Sequence, residues 1–281
     1  MNPRMMLATA LLSGLSLPAL ADSQATVTLS GFTTQLTDLN QGDGIAPHID
    51  WNNSNANVSA VENIQHGWST TAYPWGSVWN PVWGANINTS DASALPGTLN
   101  GTSAHGYSTQ QVVNTASGLD SMTVFAHAQA GQNVSGTASQ YQAFTLTAGT
   151  QATFSVVVNG SISGTSPTSG WSALPGGNYS TIDSSSIWAN MYVGQVNANQ
   201  GTSGSSAWPW STDAYESTLD GQTLKLTIKN TSNADRYYQL GFYANAAASE
   251  TAAPVPEPES YAMLGAGLLL VGAMARRRRQ G

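Results

Sequence analysis

The chain has 281 residues, no cysteine and a formal net charge of −7 at pH 7. The lack of cysteine excludes disulfides, thiolate metal sites and cysteine nucleophiles, so stability has to come from burial and hydrogen bonds. All fifteen acidic residues lie between the basic ends of the chain, and only Lys225, Lys229 and Arg236 oppose them there. Such an acidic segment repels phosphate backbones, which excludes nucleic acid as an expected partner.

The first 21 residues have the features of a secretory signal peptide. Arg4 is the single charge before an apolar run over residues 5–17, and Ala19 and Ala21 supply an Ala-x-Ala exit. The pattern predicts a signal-peptide helix over residues 1–21 that is removed by cleavage after Ala21. The exported domain is then expected to span residues 22–250.

A first strand is predicted over residues 26–39, where the apolar positions change phase after Gly31. A phase change at a glycine indicates a β-bulge. In the turn that follows, Asp38, Asn40 and Asp43 offer oxygen ligands, but Gly42 occupies the fifth position and breaks the EF-hand spacing. A calcium site on a β-loop and a plain Asx turn both remain open here.

Residues 40–110 are predicted to form an aromatic loop region with one short strand over residues 58–64. Trp75, Trp79 and Trp83 are four residues apart, but the prolines and glycines around them disfavour a helix. Flat apolar rings among amides and aspartates are typical of sugar binding, so these three tryptophans are a candidate glycan platform. Burial in a core is the alternative for each ring.

From residue 119 onward, apolar and polar residues alternate as they do in half-buried strands. Two hairpins are predicted, one turning at residues 148–149 and the other at residues 230–235, with Asp220-Gly221 as the turn into the second. Short strands, frequent turn signals and no convincing helix predict an all-β fold of the β-sandwich or jelly-roll kind.

The sequence contains few arrangements that suggest catalysis or metal binding. His48 and Asp50 could lie on one strand face as metal ligands, and Asp213 and Glu216 form a carboxylate pair of unknown separation. Phosphate-binding loops and a nucleophile elbow are absent from the sequence. We therefore expect no catalytic residue, no cofactor, no metal ligand and no enzymatic activity.

The last 31 residues, 251–281, contain three parts in a fixed order. Val255-Pro256-Glu257-Pro258-Glu259-Ser260 is followed by an uncharged apolar run over residues 261–275 and then by Arg276, Arg277, Arg278 and Arg279. As a transmembrane helix the run would be about 22 Å long, short of the ~30 Å hydrocarbon core. Snorkelling arginines can extend its reach and hold that end on the cytoplasmic side.

This tail resembles the PEP-CTERM protein-sorting domain of Gram-negative bacteria, with Pro256, Glu257 and Pro258 as the motif. The resemblance implies export through the inner membrane, transient anchoring there, and recognition by an exosortase-type membrane protease. Delivery to the cell surface or to an extracellular matrix of exopolysaccharide, as in a biofilm, would follow. A plain single-span anchor is the simpler interpretation of the same segment.

Two functions from different classes are therefore expected. The first is a non-enzymatic surface or matrix protein that is sorted by an exosortase and associates with exopolysaccharide. The alternative is a carbohydrate-binding module, or a glycan-active enzyme, that the same tail delivers.

Overall fold

The computed structural model describes residues 22–73, 76–164, 171–173, 179–181, 185–195, 210–212 and 216–250. Every regular element in these ranges is a β-strand, which confirms the all-β prediction. The predicted signal peptide and the predicted transmembrane segment lie outside the described residues. Within the ranges given, no helix is long and apolar enough to cross a membrane.

The described strands form two sheets. The six-stranded sheet contains β1 (Asp22–Asp38), β5 (Gly97–Thr102), β6 (Ser108–Thr115), β7 (Gly118–Gln129), β9 (Thr150–Gly164) and β14 (Glu216–Asn230), in the order β14-β9-β1-β7-β6-β5. The nine-stranded sheet contains β2 (Ile49–Tyr73), β3 (Gly76–Trp83), β4 (Ile87–Leu95), β8 (Gln132–Leu146), β10 (Trp171–Ala173), β11 (Tyr179–Thr181), β12 (Ser186–Gln195), β13 (Trp210–Thr212) and β15 (Arg236–Glu250). Its order is β10-β11-β3-β2-β8-β15-β12-β13, with β4 paired to β2.

The two sheets share one apolar core and so form a sandwich. Because side chains alternate along a strand, every second residue of each central strand points into this core. Phe154 of the six-stranded sheet and Phe144 and Phe242 of the nine-stranded sheet are fully buried. The alternations predicted for β7, β9, β12, β14 and β15 are confirmed by this burial.

The predicted bulge in β1 is also confirmed. Gly31 has φ 64°, and the register of β1 against β9 shifts between Ser30 and Thr33. Leu29 points into the core before the bulge and Phe32 packs against it afterwards. Pairing of β1 with β7 ends at Ser30, so the second half of β1 leaves a gap beside β7.

The two predicted hairpins are wrong. Strand β8 pairs with β2 and β15, whereas β9 pairs with β1 and β14, so the turn at residues 147–149 carries the chain from one sheet to the other. The turn at residues 231–235 does the same between β14 and β15. Alternation fixes which face of a strand is buried, but both sheets bury their faces in the same core. The alternation of apolar residues therefore cannot distinguish a hairpin within one sheet from a connection between the two sheets.

The Asp220-Gly221 turn into the second hairpin is wrong as well. Gly221, with φ 59°, lies in β14 at a bulge where the register against β9 shifts between Leu219 and Gln222. The Gly221 backbone N–H donates to Asn159 Oδ1 at 2.8 Å, which satisfies the backbone at this irregularity.

The short strand predicted over residues 58–64 is confirmed as part of β2, but the prediction that the rest of residues 40–110 is irregular is wrong, because β2 to β6 occupy most of it. In β2 the buried positions hold small residues such as Ser54 and Ala56, and the exposed ones hold amides such as Asn55 and Asn57. Because the side chains that point inward are small and those that point outward are amides, hydropathy alternates only weakly along the strand. The strand signal is therefore hidden by composition.

Both ends of the described domain lie at one pole of the sandwich. Asp22 pairs with Gln129 at the end of β7, and Glu250 pairs with Gln132 at the start of β8. The Gly131 backbone N–H also donates to the Glu250 carbonyl at 2.8 Å. We call this end the terminal pole. The opposite end, formed by residues 38–48, 115–120, 147–149 and 231–235, is the distal pole.

Asn230 joins the two sheet-crossing turns at the distal pole. Its side chain is fully buried, and Nδ2 donates to the carbonyls of Leu146 at 2.9 Å, Thr147 at 3.1 Å and Ala234 at 2.9 Å. Asp235 Oδ1 accepts from the Ala148 backbone N–H at 3.0 Å. These bonds tie the two turns together and give backbone groups of the turns hydrogen-bond partners.

The burial of β14 predicts a large cost for truncating its core side chains. Leu226 is 1% exposed, so Leu226→Ala should lower the free energy of unfolding by about 2–5 kcal/mol. Its neighbour Lys225 is exposed, and Lys225→Ala should cost under about 0.5 kcal/mol. Equal shifts of the two urea midpoints would contradict the assigned faces.

The bonds of Asn230 predict a second stability effect. Asn230→Ala removes the donor from three carbonyls and should cost about 1–3 kcal/mol of unfolding free energy. Asn230→Asp, whose carboxylate cannot donate, should cost at least as much. Asn233→Ala is the control, because this exposed residue lies in the same turn. A urea titration that gives the same midpoint for Asn230→Ala and Asn233→Ala would show that the hydrogen bonds of Asn230 between the two turns do not stabilise the fold.

Candidate functional site

All residues of the predicted signal exit and sorting motif lie outside the described residues. These are Ala19 and Ala21 at the signal exit, Val255, Pro256, Glu257 and Pro258 in the motif, and Arg276, Arg277, Arg278 and Arg279 at the end of the chain. Asp213, of the predicted carboxylate pair, also lies outside, whereas Glu216 begins β14.

The candidate glycan platform falls only partly within the description. Trp75 lies outside it. Trp79 is in β3, where its backbone pairs with Thr70, and Trp83 ends β3 opposite Gln65 and is half-buried. The loop assumed for these two tryptophans is wrong, because β3 is paired with β2 along its length. Whether the rings form a platform stays a prediction.

The turn after β1 has the geometry of Asx turns. Asp38 Oδ1 accepts from the Asn40 backbone N–H and Asp43 Oδ1 accepts from the Ile45 backbone N–H, both at 2.8 Å. His48 Nε2 lies 2.8 Å from Asp50 Oδ1, with both side chains mostly exposed. Among the described residues, no group of three or more acidic or histidine side chains could hold a metal ion.

Glu62 is a buried acidic residue whose carboxylate accepts three hydrogen bonds. It is 2% exposed, and it accepts from the His105 backbone N–H at 3.1 Å, from His105 Nδ1–H at 2.6 Å and from the Ser103 hydroxyl. Burial acts to raise the pKa of Glu62, but the bonds from Ser103 and His105 outweigh it, and the net pKa lies below the ordinary value. The serine donates to the carboxylate rather than to the imidazole, so this trio does not activate a nucleophile.

A second histidine–carboxylate pair, His127 and Asp22, lies at the terminal pole. His127 Nε2 is 2.5 Å from Asp22 Oδ1, and the Tyr107 ring lies 6.0 Å from the His127 ring and 6.4 Å from the His105 ring. Asp22 is the residue at which the mature chain is predicted to begin. The pair therefore fixes the start of β1 against β7.

The gap that the Gly31 bulge opens at the distal pole is a pocket of about 340 Å³. Its lining includes two aromatic rings, three hydroxyls and one carboxylate, from Phe32, Thr34, Trp51, Thr115, Ser117 and Asp120. None of the described residues that line it is a lysine, an arginine or a histidine. Asp120, Thr115 and Ser117 are exposed at its edge, and Trp51 is half-buried.

Aromatic packing fixes the wall of this pocket. The Trp51 ring centroid lies 5.3 Å from that of Phe144 and 6.1 Å from those of Phe32 and Phe154. The Phe32 ring occupies the space where a Cβ on Gly118 would sit, at 2.4 Å, and Gly118 has φ 133°. Glycine is therefore required at this position, because a side chain would displace the ring that supports Trp51.

A second aromatic group lies on the outer face of the nine-stranded sheet. The rings of Tyr141 and Tyr192 are 6.1 Å apart, and those of Trp188 and Tyr243 are 5.1 Å apart. Tyr192 lies against Gly241, where a Cβ would come within 2.3 Å of the ring. Burial, aided by Tyr141, raises the pKa of Tyr192. These rings are packed on one another and are half-buried.

Sequence reasoning missed the distal pocket, although one signal for it was present. The phase change at Gly31 predicts the bulge, and a bulge beside a paired strand ends the pairing locally. Trp51 falls in the region that the sequence predicts to be irregular, so its ring is not expected beside that gap.

The hydrogen bonds to Glu62 predict a pH-dependent stability. A carboxylate with a lowered folded-state pKa stabilises the fold above its unfolded-state pKa, and this contribution is lost as the pH falls through the folded-state pKa. Glu62→Gln should therefore cost about 1–3 kcal/mol of unfolding free energy at pH 7, and the deficit should shrink at pH 3.

The control for this change is Asp91→Asn, which alters an exposed carboxylate on β4. It should change the unfolding free energy by less than about 0.5 kcal/mol at either pH. Urea titrations of the three proteins at both pH values measure the effect. A Glu62→Gln deficit that grows on acidification contradicts the assigned direction.

Comparison with known proteins gives one informative match. Residues 254–279 match the family described as the PEP-CTERM protein-sorting motif. No curated protein matches the chain.

Solved structures that the chain matches include the Salmonella SPI-1 injectisome basal body proteins InvG, PrgH and PrgK, at 7% identity and TM-score 0.10, covering 97% of this chain and 54% of that one. The chain thus spans about half the length of that relative. The InvG secretin domain β-barrel from Salmonella matches at 8% identity and TM-score 0.09, covering 96% of this chain and 74% of that one. The type II secretin GspD from enteropathogenic Escherichia coli matches at 7% identity and TM-score 0.09, covering 88% and 74%. Similarity at these TM-scores carries no argument about fold or function.

Proposed function

We propose that this chain, which carries a PEP-CTERM protein-sorting motif at residues 254–279, is a non-enzymatic protein of the cell surface or extracellular matrix that associates with exopolysaccharide. The sorting motif is the observation that carries the proposal. It indicates an exported protein of a Gram-negative bacterium, anchored in the membrane and sorted there by an exosortase. The final location and the polysaccharide partner are the proposed part.

The position of the domain ends supports attachment at one pole. Asp22 and Glu250 both lie beside the connection between β7 and β8. A signal peptide before Asp22 and an anchor after Glu250 would therefore both reach the membrane from the terminal pole. The distal pole would then face away from the membrane, toward whatever surrounds the cell.

The outer faces of the sheets support contact with a neutral, hydrated polymer. Charged residues make up only 8% of the chain. Cross-strand pairs of hydroxyls lie on these faces instead, at 2.5–3.3 Å, in Thr28–Thr123, Thr33–Ser155, Thr153–Thr227 and Ser59–Thr137. Such pairs stabilise a sheet and present hydrogen-bonding groups without charge.

The non-enzymatic part of the proposal is supported by how the acidic and histidine groups are used. Glu62 is held by three donors from the segment that follows β5, and Asp22 is paired with His127. Both arrangements tie one structural segment to another. The alternative, a carbohydrate-binding module or glycan-active enzyme, draws support from the distal pocket. Its enzyme part is tested by an assay for reducing ends released from the polysaccharide of the producing cells.

The tail predicts a specific sorting defect. Deleting Arg276 to Arg279 removes the charge that holds the tail in the cytoplasm and should impair retention and sorting at the inner membrane. Replacing the four arginines with lysines is the matched control and should preserve retention. Cell fractionation and intact-mass analysis of the exported protein report the result, with both ends removed in the wild type.

A third variant separates sorting from plain anchoring. Pro256, Glu257 and Pro258 changed together to alanine leave the apolar run and arginines intact, so the protein should stay in the membrane unprocessed. If that variant is processed and released like the wild type, the segment is not read as a sorting motif. If wild-type protein fails to co-sediment with polysaccharide from the producing cells, the matrix role is wrong.

A further inference from the structure

We propose that the distal pocket binds a neutral hexose unit of a polysaccharide chain, with the Trp51 ring as the stacking surface. This inference rests on the proposed function, because it presumes that the protein meets a polysaccharide. It adds the site, the class of ligand and the groups that recognise it.

The size and origin of the pocket favour a small rigid ligand. A volume of about 340 Å³ is at the lower end of the range for small-molecule sites. The pocket exists because β1 stops pairing with β7 at Ser30 and the bulge at Gly31 turns Phe32 inward. Backbone geometry thus opens the gap, so it is present before any ligand binds.

The lining favours a neutral polyol over other ligand classes. A hexose presents an apolar ring face and a rim of hydroxyls, which match the indole of Trp51 and the polar groups of Thr34, Thr115 and Ser117. Asp120 adds a carboxylate that accepts hydrogen bonds from sugar hydroxyls. An anion would meet this carboxylate, and no cation among the described lining residues offsets it, so phosphorylated or uronic units are disfavoured.

The indole is held in place by its own packing. Phe32, Phe144 and Phe154 contact Trp51 on the core side, with ring centroids 5.3–6.1 Å away. Hydrogen bonds also fix the rim of the pocket. The Thr115 hydroxyl donates to the Gly118 carbonyl at 3.1 Å, and its oxygen lies 3.2 Å from Ser117 Oγ. A fixed ring and rim lower the entropy that binding has to offset.

The place of the pocket in the fold suits a polymer outside the cell. It lies at the distal pole, at the opposite end of the strands from Asp22 and Glu250. One hexose unit of a polysaccharide chain could enter the pocket while the terminal pole is still attached to the membrane.

The test measures binding of uncharged hexaoses of glucose, mannose and galactose by calorimetry. It uses the mature protein, exported and processed by the producing cells. Two variants alter the pocket without touching Trp51, whose ring is also part of the core. Asp120→Ala removes an exposed carboxylate, and Thr34→Trp places a large ring in the cavity from a strand position. Asp91→Ala, on β4 of the other sheet, is the matched control.

We expect at least one hexaose to bind, with affinity at least tenfold weaker for both pocket variants and unchanged for Asp91→Ala. Thermal melts of all four proteins establish that the variants are folded, and Asp120→Ala alone decides the outcome if Thr34→Trp does not fold. Binding of none of the sugars overturns the inference, as does binding that Asp120→Ala leaves unchanged. Preference for choline, a cationic probe that Trp and Asp could also hold, overturns it too.

A failure of this inference differs from a failure of the proposed function. If the wild type and the pocket variants all co-sediment equally with the polysaccharide of the producing cells, the pocket is not the contact, but the matrix role stands. If none of them co-sediments, the matrix role itself is wrong.

Discussion

The apolar layer between the two sheets is the constraint on which the rest of the structure depends. Without cysteine the chain cannot cross-link its sheets, so both have to direct every second side chain into one shared core. Phe144 contacts Phe154 across this layer with ring centroids 5.4 Å apart, and Phe32 contacts Phe242 at 5.3 Å. The ring contacts of the core that join Phe32, Trp51, Phe144 and Phe154 lie around the bulge, toward the distal pole.

The bulge at Gly31 connects this core to function. One extra residue reverses the inward face of β1, brings Phe32 under Trp51, and ends the pairing with β7. The same irregularity therefore completes the hydrophobic cluster and leaves the pocket open beside it. Gly118 makes the arrangement possible from the other side, because the Phe32 ring fills the space of its missing side chain.

Local features of the sequence predicted local features of the fold well. The bulge at Gly31 and the buried faces of β7, β9, β12, β14 and β15 were all predictable from the phase of apolar residues. The crossings at residues 147–149 and 231–235 were not, because pairing partners depend on residues far away along the chain. The bonds of Asn230 show this, since its side chain reaches Leu146 and Thr147. Of the strands between residues 49 and 115, only the stretch 58–64 of β2 was predicted, because alanine, serine and asparagine differ too little in hydropathy to show a period of two elsewhere.

The antiparallel pairing of β15 has a mechanical consequence. This strand pairs with β8 from Arg236 to Glu250, and on its other side with β12 over ten residues. Tension applied through the chain beyond Glu250, against a load held at the opposite end of the sandwich, would run parallel to the strand. The ladder bonds on both sides would then be loaded together in shear rather than opened one after another. A tether attached at this point pulls on the fold in its most resistant direction.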